Sequence, residues 1–207
     1  STVENDSGLT IISTGKLKVT DGVGIFAQTD GNDADVAVGS YADIIVGGDK
    51  SGGIAASTDG TGSSLTVVST GDITATGYAV SGIRASTFAG TSQIHISSSG
   101  DISTTGDEGY GIRAKGTDSL IEVTASGAIS TKGADAAGLW AQTTTGAIHL
   151  YAHHAAITTT GAGADGIYAV ASAGTPQFIV FSGDVSATGS QSRGVLVDTA
   201  GEAFLSV

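Results

Sequence analysis

Leu65-Thr66-Val67-Val68-Ser69-Thr70-Gly71-Asp72-Ile73-Thr74-Ala75-Thr76-Gly77, and after Tyr78-Ala79-Val80-Ser81 the segment Gly82-Ile83-Arg84-Ala85-Ser86, contain three short runs of alternating apolar residues. Each run is closed by Gly or small polar residues. Period-two alternation over so few residues argues strand, and no sustained 3.6-residue stripe occurs anywhere in the chain. The same stretch recurs seven times. Its clearest marker is Gly followed by an aliphatic residue: Gly24-Ile25, Gly53-Ile54, Gly82-Ile83, Gly111-Ile112, Gly138-Leu139, Gly166-Ile167 and Gly194-Val195. Successive glycines lie 29, 29, 29, 27, 28 and 28 residues apart. A fixed period of this size is the signature of a stacked repeat.

Aligned on that marker, the three runs fall into register. The first places Ile11, Val38, Val67, Ile96, Val123, Leu150 and Val180 inward. The second places Leu17, Ile44, Ile73, Ile102, Ile129, Ile157 and Val185 inward. The third carries the Gly-aliphatic pairs, followed two residues on by Ala27, Ala56, Ala85, Ala114, Ala141, Ala169 and Val197. Two connections are nearly constant in length, whereas the third, leading into the next copy, varies and so reads as a surface loop. Three strands per copy, joined by such corners, predict a right-handed, three-sided parallel β-helix of about seven coils of 27–29 residues. With about 4.8 Å between coils, the rod is roughly 30–35 Å long. Thr104, Thr131 and Thr159 fall inward on consecutive second strands, where a ladder of mutually bonded hydroxyls is expected. Glycines are expected at corners requiring positive φ.

Composition bounds the function. The 207 residues read as one domain, 1–207, because the repeat covers nearly all of them. Net charge is −12 with eight Lys and Arg, which argues against nucleic acid and against an anionic membrane surface. There is no Cys, hence no thiol chemistry, and no apolar run of membrane-spanning length. Nothing signals a cofactor. The chain ends in a segment resembling an eighth first strand, Phe204 to Val207, and a stack lacking a polar cap is expected to continue or to associate end to end.

The unit Gly-Asp-Ile-(Ser/Thr)-x-(Thr/Ser)-Gly-x4-Gly-Ile-x-Ala is clearest from Gly71 to Ala85 and from Gly100 to Ala114. It resembles the passenger regions of bacterial autotransporters. The resemblance implies a secreted β-helix of a Gram-negative bacterium, exported through the inner membrane and then through a C-terminal β-barrel. It also implies residence in the medium or on the bacterial outer surface. Family roles include adhesin, cytotoxin, protease and signalling ligand, and fold does not choose among them. The expected function is recognition of a host-cell protein or glycan. The alternatives are a polysaccharide-acting β-helix enzyme and a spacer rod with no binding site of its own.

Outward positions form columns, because equivalent residues stack coil on coil. One reads Phe26, Ala55, Arg84, Arg113, Trp140, Tyr168 and Leu196. Arg84, Arg113, Trp140 and Tyr168 make it the candidate binding surface, since Arg and aromatics dominate binding hot spots. Arg113 and Trp140 are expected within cation–π reach; stacking that merely stabilises the sheet is the plainer reading. A second column reads Thr10, Ala37, Thr66, His95, Glu122, His149 and Ile179. His95, Glu122 and His149 suit a charge ladder or, with imidazole and carboxylate ligands, a Zn²⁺ or Ni²⁺ site to which His153-His154 would have to fold back. Asp30, Asp33 and Asp35 offer oxygen ligands for calcium, or form a hydrated acidic turn.

The remaining candidates are weaker. Thr74/Thr76, Ser103/Thr105, Thr158/Thr160 and Ser186/Thr188 resemble the arrays of ice-binding solenoids, but Lys18, Ile45, Gly47 and Lys132 interrupt them. The same hydroxyls suit O-linked sugars. Asp6-Ser7-Gly8 echoes a serine-protease string but reads as a turn. Asp72 and Asp101 stack as paired carboxylates, which acid–base chemistry could use, yet Gly-Asp is also ordinary turn chemistry.

Overall fold

The computed structural model describes residues 8–172 and 177–206, and within them every regular element is a strand. There are 22 described strands in chain order, from β1 (Leu9–Ser13) to β22 (Ala203–Ser206). The first coil is β1, β2 (Leu17–Val19) and β3 (Val23–Thr29), and each later coil repeats this order. Every third strand pairs in parallel with its equivalent one coil away. The result is one eight-stranded sheet containing β1 and β22, and two seven-stranded sheets, one containing β2 and the other β3. The three-sided parallel β-helix read from the sequence is therefore the fold. No described helix is long and apolar enough to cross a membrane.

The interior is a set of aliphatic columns. Ile44, Ile73, Ile102, Ile129 and Ile157 stack from the second sheet, and Ile54, Ile83, Ile112, Leu139 and Ile167 from the third; all are buried. Burying each such side chain contributes about 1.5–3 kcal/mol before chain entropy is charged against it. Small Ala85, Ala114, Ala141 and Ala169 complete the third wall and keep the triangular core narrow.

The glycine of the Gly-aliphatic pair is not a positive-φ corner residue, contrary to the expectation. It lies against the next coil. A Cβ built on Gly82 would stand 2.4 Å from Ile102 Cγ2 and 2.7 Å from the Gly111 carbonyl oxygen. Close approach of neighbouring coils, not φ, excludes a side chain there. Positive φ is used at the second corner instead, as at Gly77 (φ 136°) and, two residues on, at Ala79 (φ 53°).

The register differs from the sequence reading at one strand. In β19 (Gln177–Phe181), Ile179 pairs with Leu150 and is fully buried, whereas Val180 pairs with Tyr151 on the outside. The segment Phe178-Ile179-Val180-Phe181 is apolar in both parities, so alternation carries no information there. The structure seats Ile179 and Phe181 in the core and leaves Phe178 37% exposed. The apparent five-residue spacing from Val180 to Val185 becomes the usual six from Ile179.

The threonine ladder is present as a stack but not as a hydrogen-bond chain. Thr104, Thr131 and Thr159 are buried on paired strands β11 (Ile102–Thr105), β14 (Ile129–Lys132) and β17 (Ile157–Thr160). Thr159 Oγ1 donates to the Ala164 carbonyl at 3.2 Å, while the hydroxyls of Thr104 and Thr131 have no hydrogen-bond partner. Neighbouring hydroxyls do meet in the third sheet, where Thr29 Oγ1 donates to Thr58 Oγ1 at 3.3 Å.

Candidate binding face

The outward column of the third sheet is aligned as the repeat demands. Strand pairing sets Phe26 beside Ala55, Ala55 beside Arg84, Arg84 beside Arg113, Arg113 beside Trp140, Trp140 beside Tyr168, and Tyr168 beside Leu196. Phe26 and Arg84 are exposed; Arg113, Trp140 and Tyr168 are half-buried because they pack on one another. The Arg113 guanidinium lies 4.9 Å from the Trp140 ring centre and 5.1 Å from that of Tyr110. Trp140 stacks on Tyr168 with centroids 6.1 Å apart and planes within 1°. Burial raises the Tyr110 hydroxyl pKa above its ordinary value, and the Arg113 charge works against that rise.

Two participants were absent from the sequence reading. Tyr110 sits immediately before Gly111 and pairs with Ser81 and Ala137 on the adjacent coils. Arg193, at the matching place before Gly194, reaches over Tyr168 with its Cζ 5.9 Å from the ring centre. It is fixed by a two-pronged ion pair to Asp165, Nε to Oδ1 at 2.9 Å and Nη2 to Oδ2 at 2.7 Å. The Asp165 side chain is only 6% exposed. Hydrogen bonding to it raises the Arg193 pKa. The column preceding the repeated glycine runs Ser81, Tyr110, Ala137, Asp165, Arg193, and its departures from small residues were the available signal.

The face holds two depressions. One, of about 180 Å³, lies among Tyr110, Asp135, Trp140, Asp165, Tyr168 and Arg193. The other is an open trough of about 580 Å³ lined by Ala55 and Ser57, by the cations Arg84, Arg113 and Lys115, by Asp59, and by the rings of Phe26 and Phe88. Phe26 is 57% and Phe88 58% exposed. Partial desolvation, and then the neighbouring Arg113 charge, pull the Arg84 pKa below its ordinary value. The Arg113 Nε is buried with no hydrogen-bond partner. Among the described residues none of Arg84, Arg113 and Lys115 forms a salt bridge, although the chain carries a net charge of −12.

The first-sheet column runs differently from the sequence reading at its far end. His95 Nδ1 meets Glu122 Oε2 at 3.3 Å, forming one step of the expected charge ladder. His149 instead packs edge-on against Phe178, with centroids 5.0 Å apart, and Phe178 stacks on Phe204 at 5.1 Å. Phe178, not Ile179, is the outward residue here. His153 stacks beside Tyr151, with centroids 6.1 Å apart. Nor do the three acidic residues of the first variable corner converge: Asp30 accepts from Gln28 Nε2 at 3.1 Å and Asp35 from the Ser64 amide at 2.7 Å. Among the described residues no group of three or more His, Asp or Glu is placed to hold a metal ion.

The stacked Asp carboxylates of the first corner are engaged in the backbone. The Asp72 amide donates to Asp43 Oδ1 at 3.3 Å, the Asp101 amide to Asp72 Oδ1 at 2.9 Å, and the Ala128 amide to Asp101 Oδ1 at 2.8 Å. Each carboxylate thus satisfies an amide on the following coil. Asp6 and Ser7 of the protease-like string lie outside the described residues. No protein-family model, curated protein or solved structure matches the chain.

Proposed function

We propose that this rod is the recognition segment of a secreted or surface-displayed autotransporter passenger. It binds a host-cell protein or glycan through its third-sheet face. The observation that carries the reading is the contrast between two sides of the same strands. Inward, Ile54, Ile83, Ile112, Leu139 and Ile167 repeat almost unchanged. Outward, the same strands carry Ala55, Arg84, Arg113, Trp140 and Tyr168 in unbroken register. A spacer needs only the first pattern. The second concentrates the residue types that dominate binding hot spots, held on a rigid sheet that costs little entropy to dock.

The test is capture of host-surface proteins and glycans by the purified rod, repeated with Arg113→Ala and Trp140→Ala combined. Retention of partners by the native rod and their loss from the variant supports the reading. Equal capture by both contradicts it. Release of products from acidic polysaccharides would favour the enzymatic alternative instead.

A further inference from the structure

The trough between Phe26 and Phe88 contains a charge arrangement that the fold itself leaves unbalanced. Arg84 and Arg113 are paired residues on adjacent strands β9 (Ser81–Thr87) and β12 (Tyr110–Lys115), one coil spacing apart. Lys115 lies two residues along β12 on the same outward side and also lines the trough. Two guanidinium groups so placed repel each other, and the chain has acidic residues in excess with which to compensate them. Here three cations and one carboxylate, Asp59, line the trough, and among the described residues none of the three cations forms a salt bridge. Of the eight Lys and Arg, Lys16 pairs with Asp43 at 3.5 Å and Arg193 with Asp165 at 2.7 Å, whereas the three on β9 and β12 are brought together without such a pair among the described residues.

We infer that the trough binds an acidic oligosaccharide, whose carboxylate or sulfate groups bridge Arg84, Arg113 and Lys115 while its sugar rings lie against Phe26 and Phe88. The inference rests on the recognition reading above and specifies its ligand. Guanidinium forks match planar or tetrahedral oxyanions in two-pronged geometry, and successive coils present them in a row. The volume of about 580 Å³ is that of a small-ligand cleft. A standard protein interface buries about 800 Å² per side around an apolar core. On this trough the exposed large apolar residues are Phe26 and Phe88. Two exposed phenyl rings beside three cations suit a chain of sugars bearing regular negative charge.

The experiment is calorimetric titration of the purified rod at near-physiological salt with four probes of similar length. They are a short oligogalacturonate (carboxylate only), a heparin-derived oligosaccharide (sulfate and carboxylate), a neutral gluco-oligosaccharide, and poly-glutamate. Binding of at least one acidic oligosaccharide, roughly tenfold or more tighter than the neutral sugar and poly-glutamate, is expected. Arg84→Gln combined with Arg113→Gln is expected to weaken it by about tenfold or more, and Phe88→Ala by a smaller factor. Lys50→Gln, at a second corner, is expected to leave it unchanged. If the double variant loses its fold by circular dichroism, Lys115→Gln with Arg84→Gln takes its place. Absence of binding by both acidic sugars, unchanged binding by the folded variant, or equal binding of poly-glutamate overturns the inference; the last outcome assigns the trough to an acidic protein. Attachment of the rod to host cells separates the two readings. Cell binding that no acidic sugar competes leaves recognition standing without this ligand. Sugar binding without cell binding leaves the trough standing without host recognition.

Discussion

The Arg113 guanidinium is held 4.9 Å from the indole of Trp140 on the next coil. Parallel pairing in register makes that contact, since Arg113 and Trp140 are direct partners of β12 and β15 (Ala137–Thr143). The Tyr110 ring lies 5.1 Å from the same cation, with its centre 6.0 Å from that of Trp140. A double-mutant cycle of Arg113→Ala and Trp140→Ala, read by denaturant unfolding, is expected to show a coupling of about 0.5–1 kcal/mol. Additive losses would mean that the cation and the ring do not interact.

The orphan hydroxyls of Thr104 and Thr131 are expected to be destabilising. Replacing each by Val keeps the branched shape and removes a buried polar group lacking a partner. Each substitution is expected to raise unfolding free energy by about 1 kcal/mol. Thr159→Val, which breaks a bond to Ala164, is expected to lower it. Thermal melting of the three variants is the check, and a loss at Thr131 equal to that at Thr159 would refute the assignment.

Gly82→Ala tests the close approach between coils. Its new methyl would meet Ile102 Cγ2 at 2.4 Å and the Gly111 carbonyl at 2.7 Å, and the carbonyl belongs to a backbone that cannot move alone. The expected cost is about 2–3 kcal/mol, within the range for overpacked cores. A melting temperature equal to that of the native chain would show that the coils can separate locally.

Asp118 sets a pH dependence. Hydrogen bonds from the Thr145 and Thr144 hydroxyls hold its carboxyl below the usual carboxylate range. On lowering the pH the unfolded chain takes up this proton first. The contribution is therefore complete above the unfolded value of about 3.9 and is lost as pH falls through the lower folded value. The melting-temperature gap between native chain and Asp118→Asn is expected to persist at neutral pH and to close in strong acid. A gap that widened on acidification would have the wrong sign.

Most of the architecture was legible because inward positions are aliphatic and outward ones polar, so the alternation at Val67, Ile73 and Ile83 fixed both strand and face. It failed at Phe178-Ile179-Val180-Phe181, where both faces are apolar and alternation no longer distinguishes them. The column from Arg84 to Tyr168 followed from register alone. Tyr110 and Arg193 did not, because their side chains reach sideways from the column before the repeated glycine onto the aromatic ribbon. The hydroxyl orientations of Thr104 and Thr131, and the absence of an ion pair at Arg84, depend on geometry that no spacing encodes.

Recognition of a partner through the third-sheet face is the function proposed for the rod. It is tested by quantifying attachment of labelled rod to host cells for two variants, each shown to be folded by circular dichroism at the assay temperature. One carries Arg113→Ala and Trp140→Ala on the third sheet; the other carries Thr74→Ala and Thr76→Ala on the second. A loss of about tenfold or more for the first with no loss for the second is the expected result. Equal attachment by both variants and the native rod would contradict it.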